Sequence, residues 1–104
     1  MTTFEQVKNQ IQEDITNNDI MLYMKGDKTF PMCGFSQQVV QILNHVGADY
    51  ETRNVLDDES LRAGIKEFSD WPTIPQLYIK GEFVGGCDLT VEMFQSGDLQ
   101  KMIG

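Results

Sequence analysis

The chain has 104 residues, 8 basic against 16 acidic, giving a formal net charge of −8, and 40% of its positions are hydrophobic. A chain of this length buries roughly two-thirds of its surface on folding, so one compact domain over residues 1–104 is expected and intrinsic disorder is excluded. The acidic excess excludes nucleic acid and anionic membrane surfaces as partners, because no basic stripe is present to displace counterions.

Phe4, Val7, Ile11 and Ile15 recur at helical spacing, and Thr2 with Glu5 has the spacing of a capping box, so a first helix is expected here. Ile20 to Met24 is a short continuous apolar run ended by Lys25-Gly26-Asp27, the pattern of a strand buried on both faces. A turn through Pro31 leads to Cys33, and from Phe35 the positions Val39, Val40, Ile42, Leu43 and Val46 predict a second helix ending at Gly47. Tyr50 to Val55 predicts a second strand. Asp57 or Asp58 can cap a third helix that carries Leu61, Ile65 and Phe68 on one face. Trp71-Pro72-Thr73-Ile74-Pro75 is a shaped loop, since its prolines remove donors and bias their neighbours to extended geometry. Gln76 to Ile79 and Phe83-Val84 flank a hairpin turn supplied by Gly81, and Asp88 is placed to cap a final helical region broken at Gly97. A βαβ unit needs a parallel pair and the hairpin an antiparallel one. The expected fold is therefore α/β, a four-stranded mixed sheet with helices on both faces.

Two cysteines do not make a disulfide framework, and Met1 to Glu5 shows neither a signal core nor transit character. A reducing, cytoplasmic setting is expected, or an organellar matrix if a presequence has been removed. Cys33 falls between a strand's C-terminal end and the first turn of a helix, where free backbone N–H groups favour a thiolate. A buried inert cysteine would suit a core strand, whereas Pro31, Met32 and Gly34 make a loop. Position 36, where a redox C-x-x-C motif carries its second thiol, is Ser36. Cys33 must then act with a thiol from outside or bind something. The single histidine, His45, and the acidic run Asp57-Asp58-Glu59 suit a helix C-terminus and a helix start better than a metal site.

Cys33-Gly34-Phe35-Ser36 resembles the signature of the CGFS monothiol glutaredoxins, which have the thioredoxin-like fold. Tyr23-Met24-Lys25-Gly26 upstream, and Trp71 to Gln76 and Gly85-Gly86-Cys87-Asp88 downstream, match the same family in order over nearly the whole chain. The resemblance implies a glutathione site. In it Lys25, with Arg62, would meet the tripeptide's glycine carboxylate, and Ile74 before a cis Pro75 would pair its backbone with the cysteinyl unit, with Thr73 lining the groove. Gly86, Cys87 and Asp88 would take the γ-glutamyl end: backbone N–H groups receive its carboxylate, and the Asp88 side chain accepts from its ammonium while it can also cap the helix. Cys87 would pack or offer its backbone, with a disulfide to Cys33 as the alternative.

A [2Fe–2S] cluster takes four thiolates, and one accessible thiolate per chain cannot supply them. The resemblance implies that two Cys33 thiolates from a homodimer and two glutathiones hold a labile cluster. The chain would carry it from an assembly scaffold to apo client proteins, with BolA-type proteins as heterodimeric partners. The rival expectation is a glutathione-dependent oxidoreductase in which Cys33 removes glutathione from mixed disulfides.

Overall fold

A computed structural model describes residues 3–104. Helix α1, Phe4–Asn17, starts from a reciprocal capping box in which Thr3 Oγ accepts from Gln6 N and Gln6 Oε1 accepts from Thr3 N. The box expected at Thr2 and Glu5 involves a residue outside the described range, and the cap observed lies one position further on. Strand β1, Ile20–Met24, is followed by helix α2, Gly34–His45, strand β2, Glu51–Asn54, and helix α3, Glu59–Ser69. Strands β3, Gln76–Ile79, and β4, Glu82–Gly85, form the hairpin, and helices α4, Cys87–Ser96, and α5, Asp98–Ile103, close the chain. Among the described residues no helix is long and apolar enough to cross a membrane.

The sheet order is β2-β1-β3-β4, with β1 parallel to β2 and antiparallel to β3. The four-stranded mixed sheet with helices on both faces is thus the observed architecture. All five residues of β1 are buried because both of its faces are covered. Met21 and Tyr23 face α1 and α3, while Ile20, Leu22 and Met24 face α2 and the C-terminal helices. Strand β2 is shorter than the expected Tyr50 to Val55. Tyr50 and Val55 are buried beside it rather than within it. In the hairpin Lys80 as well as Gly81 takes positive φ, 52° and 82°, the geometry of the primed turns whose twist matches that of the strands.

A buried carboxylate ties the first helix to the sheet. Asp14, 6% exposed, accepts from the Tyr23 hydroxyl at 2.9 Å, from Gln10 Nε2 at 3.0 Å and from Arg53 Nη2 at 2.8 Å, while Arg53 Nε also reaches it. Burial, then the charge of Asp14, pushes the Tyr23 phenol well above its ordinary range, so it stays a donor. The functional edge of the sheet lies just beyond this anchor, where the chain leaves the C-terminal end of β1.

Helices α1 and α3 approach closely at Gly64, where a Cβ would collide with Val7 Cγ1. Overpacking of this kind costs about 1–3 kcal/mol. Gly64→Ala is therefore expected to lower Tm by at least about 4 °C in a circular-dichroism melt, and an unchanged Tm would show that the helices separate freely.

Candidate functional site

The polypeptide leaving β1 makes a tight excursion before Cys33. Asp27 Oδ1 accepts from Thr29 N and Phe30 N at 2.8 Å each, Met32 N donates to Lys25 O at 2.9 Å, and Gly26 bridges to Pro31. Asn54, at the end of β2, clamps the start of the loop. Its Oδ1 accepts from Gly26 N and Leu56 N, both at 2.9 Å. Lys28 is engaged elsewhere, with Nζ on Tyr50 O at 2.7 Å and 4.7 Å from that ring's centroid. The loop thereby delivers Cys33 in extended geometry to the N-cap of α2, with φ −152° and ψ 137°.

At that position the thiol lies near the unpaired N–H groups of the first helical turn, without a capping hydrogen bond to them. The backbone N–H of Ser36 lowers its pKa most, burial opposes this, and the N–H of Phe35, the charge of Lys25 and the Ser36 hydroxyl lower it further. Ser36 is fully buried and its Oγ accepts from Lys25 N at 3.2 Å, so the residue in the second-thiol position joins strand end to helix start. Cys33 itself is half-buried, and Phe30, Met32 and Phe35 beside it are exposed.

A groove of about 390 Å³ is lined by Phe35, by Thr73, Ile74 and Pro75, and by Gly86, Cys87 and Asp88. Such a volume suits a small ligand. The Ile74–Pro75 peptide is cis. Gly86 leaves little room behind it, since a Cβ there would stand 3.2 Å from Pro75 O and 3.5 Å from Trp71 Nε1. The structure therefore brings together six of the residues named from sequence, and it places Lys25 close enough to Cys33 to act on the thiol by charge.

One expectation is corrected. Asp88 does not cap the last helices: Gly86 is the N-cap of α4, with Thr90 N and Thr90 Oγ1 on Gly86 O at 3.1 and 2.8 Å. The helix begins two residues earlier than expected because the extended backbone of Gly86 already serves as its start. This leaves the Asp88 carboxylate exposed on the groove. Arg62 does not line the groove. It reaches Glu59 Oε1 at 3.6 Å, one turn back on α3, and its Nε is buried without a partner. Cys87 is buried, donates from Sγ to Gln38 Oε1 at 3.2 Å, and burial pushes its pKa up.

Sequence reasoning missed Trp71 and Leu89 as lining residues, Ser36 and Asn54 as clamps, and any role for Gln76 beyond its place in the strand and the motif. Ser36 carried a signal, a hydroxyl one helical turn after the cysteine, but only as the absence of a thiol. Among the described residues no cluster of three or more histidine, cysteine or acidic side chains could hold a metal ion.

The glutaredoxin family model matches residues 20–84. An uncharacterized monothiol glutaredoxin of Synechocystis sp. is 53% identical over 98 residues, spanning 94% of this chain and 92% of its own length. The chloroplastic monothiol glutaredoxin-S14 of Arabidopsis thaliana is 50% identical over 94% of this chain, which spans only 57% of that relative. The solution structure of reduced, apo poplar GrxS14 superposes with a TM-score of 0.84 at 52% identity, covering 95% of this chain and 91% of its own.

The thiol's environment makes a pH-dependent prediction. Alkylation of Cys33 is expected to have its midpoint below the ordinary value near 9. Lys25→Met should move that midpoint up only part of the way, because the N–H of Ser36 contributes more than the lysine. A full return to the ordinary value would overturn this order of causes. The lowered pKa also makes the thiolate a stabilising form, with its contribution present above the ordinary value and lost as pH falls through the lowered one.

Proposed function

Given that the chain belongs to the glutaredoxin family and to its monothiol type, we propose that it binds glutathione in the groove and carries a labile [2Fe–2S] cluster between two copies, for transfer to apo-proteins. The observation that carries this reading is the single accessible thiol held toward thiolate at a helix start, with Ser36 where a second thiol would allow internal disulfide chemistry.

Glutathione offers two carboxylates, one ammonium and a thiol. On this reading Lys25 meets the glycine carboxylate, and Arg62 joins it only by leaving its pair with Glu59. Thr73 and Ile74 run alongside the cysteinyl unit as an added strand would. The γ-glutamyl carboxylate lies at the backbone N–H groups that open α4, and the Asp88 carboxylate, free of capping duty, accepts from the ammonium.

The cluster is cargo. Four thiolates are needed and the chain supplies one, so two chains and two glutathione thiols make the set. Cys87, buried and engaged with Gln38, is not placed to add a further thiolate, which supports this division. Ligands held without covalent bonds leave the cargo exchangeable, which suits receipt from an assembly scaffold. A BolA-type protein would stand in for the second copy. The same chemistry requires a reducing compartment, the cytoplasm or an organellar matrix.

The lowered Cys33 pKa also favours a second reading. The thiolate would attack the glutathione sulfur of a protein–glutathione disulfide and expel the protein thiolate. A second glutathione thiolate would then attack the glutathione-side sulfur, releasing oxidised glutathione and regenerating Cys33.

Anaerobic reconstitution with iron, sulfide and glutathione separates the two. A coloured dimer is expected, absent in Cys33→Ser and absent without glutathione. A colourless monomer that reduces mixed disulfides rapidly would overturn the carrier reading. In calorimetric titration Lys25→Ala and Asp88→Ala should each weaken glutathione binding by roughly tenfold or more, the effect of losing one charge-assisted bond.

A further inference from the structure

Gln76 opens β3 and is 0% exposed. A carboxamide so placed must find partners for its donors and its acceptor. Its Nε2 donates to Trp71 O at 3.1 Å and to Thr73 O at 3.3 Å, and its Oε1 accepts from the Tyr78 hydroxyl at 3.2 Å. Backbone carbonyls only accept, so the nitrogen must face the loop and the amide has one orientation. Tyr78 is held in turn by the rings of Phe83 and Tyr23, at centroid distances of 5.3 and 5.7 Å.

The loop has little else to hold it. Pro72 and Pro75 bring no N–H. Among the described residues, segment 71–75 makes one backbone–backbone hydrogen bond, from Trp71 N to Lys66 O at 3.1 Å. The two bonds from Gln76 therefore decide which way its carbonyls point.

That choice has a consequence on the other side of the chain. The Thr73–Ile74 peptide is trans, so its C=O and N–H point in opposite directions. With Thr73 O turned inward onto Gln76, the Ile74 N–H is turned outward, and it makes no hydrogen bond among the described residues. Ile74 lies in the groove wall.

We propose that Gln76 is a positioning residue: its buried carboxamide draws the carbonyls of Trp71 and Thr73 inward and thereby presents the Ile74 N–H outward, as the donor to a carbonyl of a peptide ligand lying extended in the groove. The inference rests on the reading that the groove holds glutathione, and it adds a residue that the ligand never touches. It also accounts for a fully buried amide at a position whose β3 neighbours, Leu77 to Ile79, are apolar or aromatic.

The test is a titration of isotopically labelled protein with reduced glutathione, followed by NMR. In the wild-type chain the Ile74 amide is expected to move downfield and gain protection from hydrogen exchange. In Gln76→Met, of similar volume but without donors, the dissociation constant should rise about tenfold and the Ile74 response should vanish. The alkylation midpoint of Cys33 should stay unchanged, because α2 and Lys25 set it. Tyr78→Phe, which keeps the ring and removes only the donor to Oε1, should fall between the two and serves where Gln76→Met does not fold. A purely structural role would lower Tm and leave the Ile74 response intact, which would overturn the proposal. A wild-type Ile74 amide that stays silent while glutathione binds overturns this inference alone, and a wild-type chain that does not bind glutathione overturns the glutathione reading with it.

Discussion

The pairing of β1 with β3 is the constraint on which the site depends. Ile20 stands opposite Ile79 and Tyr23 opposite Gln76. The strands run in opposite directions, so the end of one meets the beginning of the other, and Lys25 and Pro75 emerge at the same edge of the sheet. The parallel pairing of β1 with β2 puts Asn54 opposite Met24, where it can clamp the outgoing loop. A slip of one residue would turn every side chain of β3 to the wrong face. It would carry the Gln76 carboxamide away from the loop and the Leu77 side chain from one core cluster to the other.

How much of this was legible follows the physics of each signal. Periodicity revealed the elements. The apolar run at 20–24 and the stripe positions Val7, Ile11 and Ile15 are buried as read, since burial of one face is what such patterns encode, whereas Phe4 at the head of the stripe is exposed. Boundaries were less legible, because they depend on hydrogen bonds rather than on apolar pattern. The first helix is capped at Thr3, and Gly86, with no side chain to announce it, started the helix expected at Asp88. Residues that touch the groove could be named from motif, whereas Gln76, Asn54 and Ser36 act through backbone groups distant in sequence or hidden beneath the surface. A polar residue in an apolar strand is the available sign of such a role, and at Gln76 it stood in plain view.

Electrostatics at the site are local against an acidic whole. Arg53 is occupied by Asp14, Lys28 by the carbonyl and ring of Tyr50, and Arg62 by Glu59. Lys25 has no ion-pair partner among the described residues and stands by the thiol instead. At physiological ionic strength fields fade over about 8 Å, so distant carboxylates do little to cancel one nearby ammonium. An anionic ligand can therefore be held by backbone donors and one well-placed cation on a protein of net charge −8.

The contrast between the two cysteines bears on how the chain can be handled at the bench. Cys33 is half-buried and held toward its thiolate, whereas Cys87 is buried, bonded to Gln38 and pushed the other way. Toward electrophiles Cys33 is thus the more accessible and more readily ionised of the two thiols. A fluorophore or spin label can be placed on Cys33 without removing Cys87, and it would report from a surface that also exposes Phe30, Met32 and Phe35.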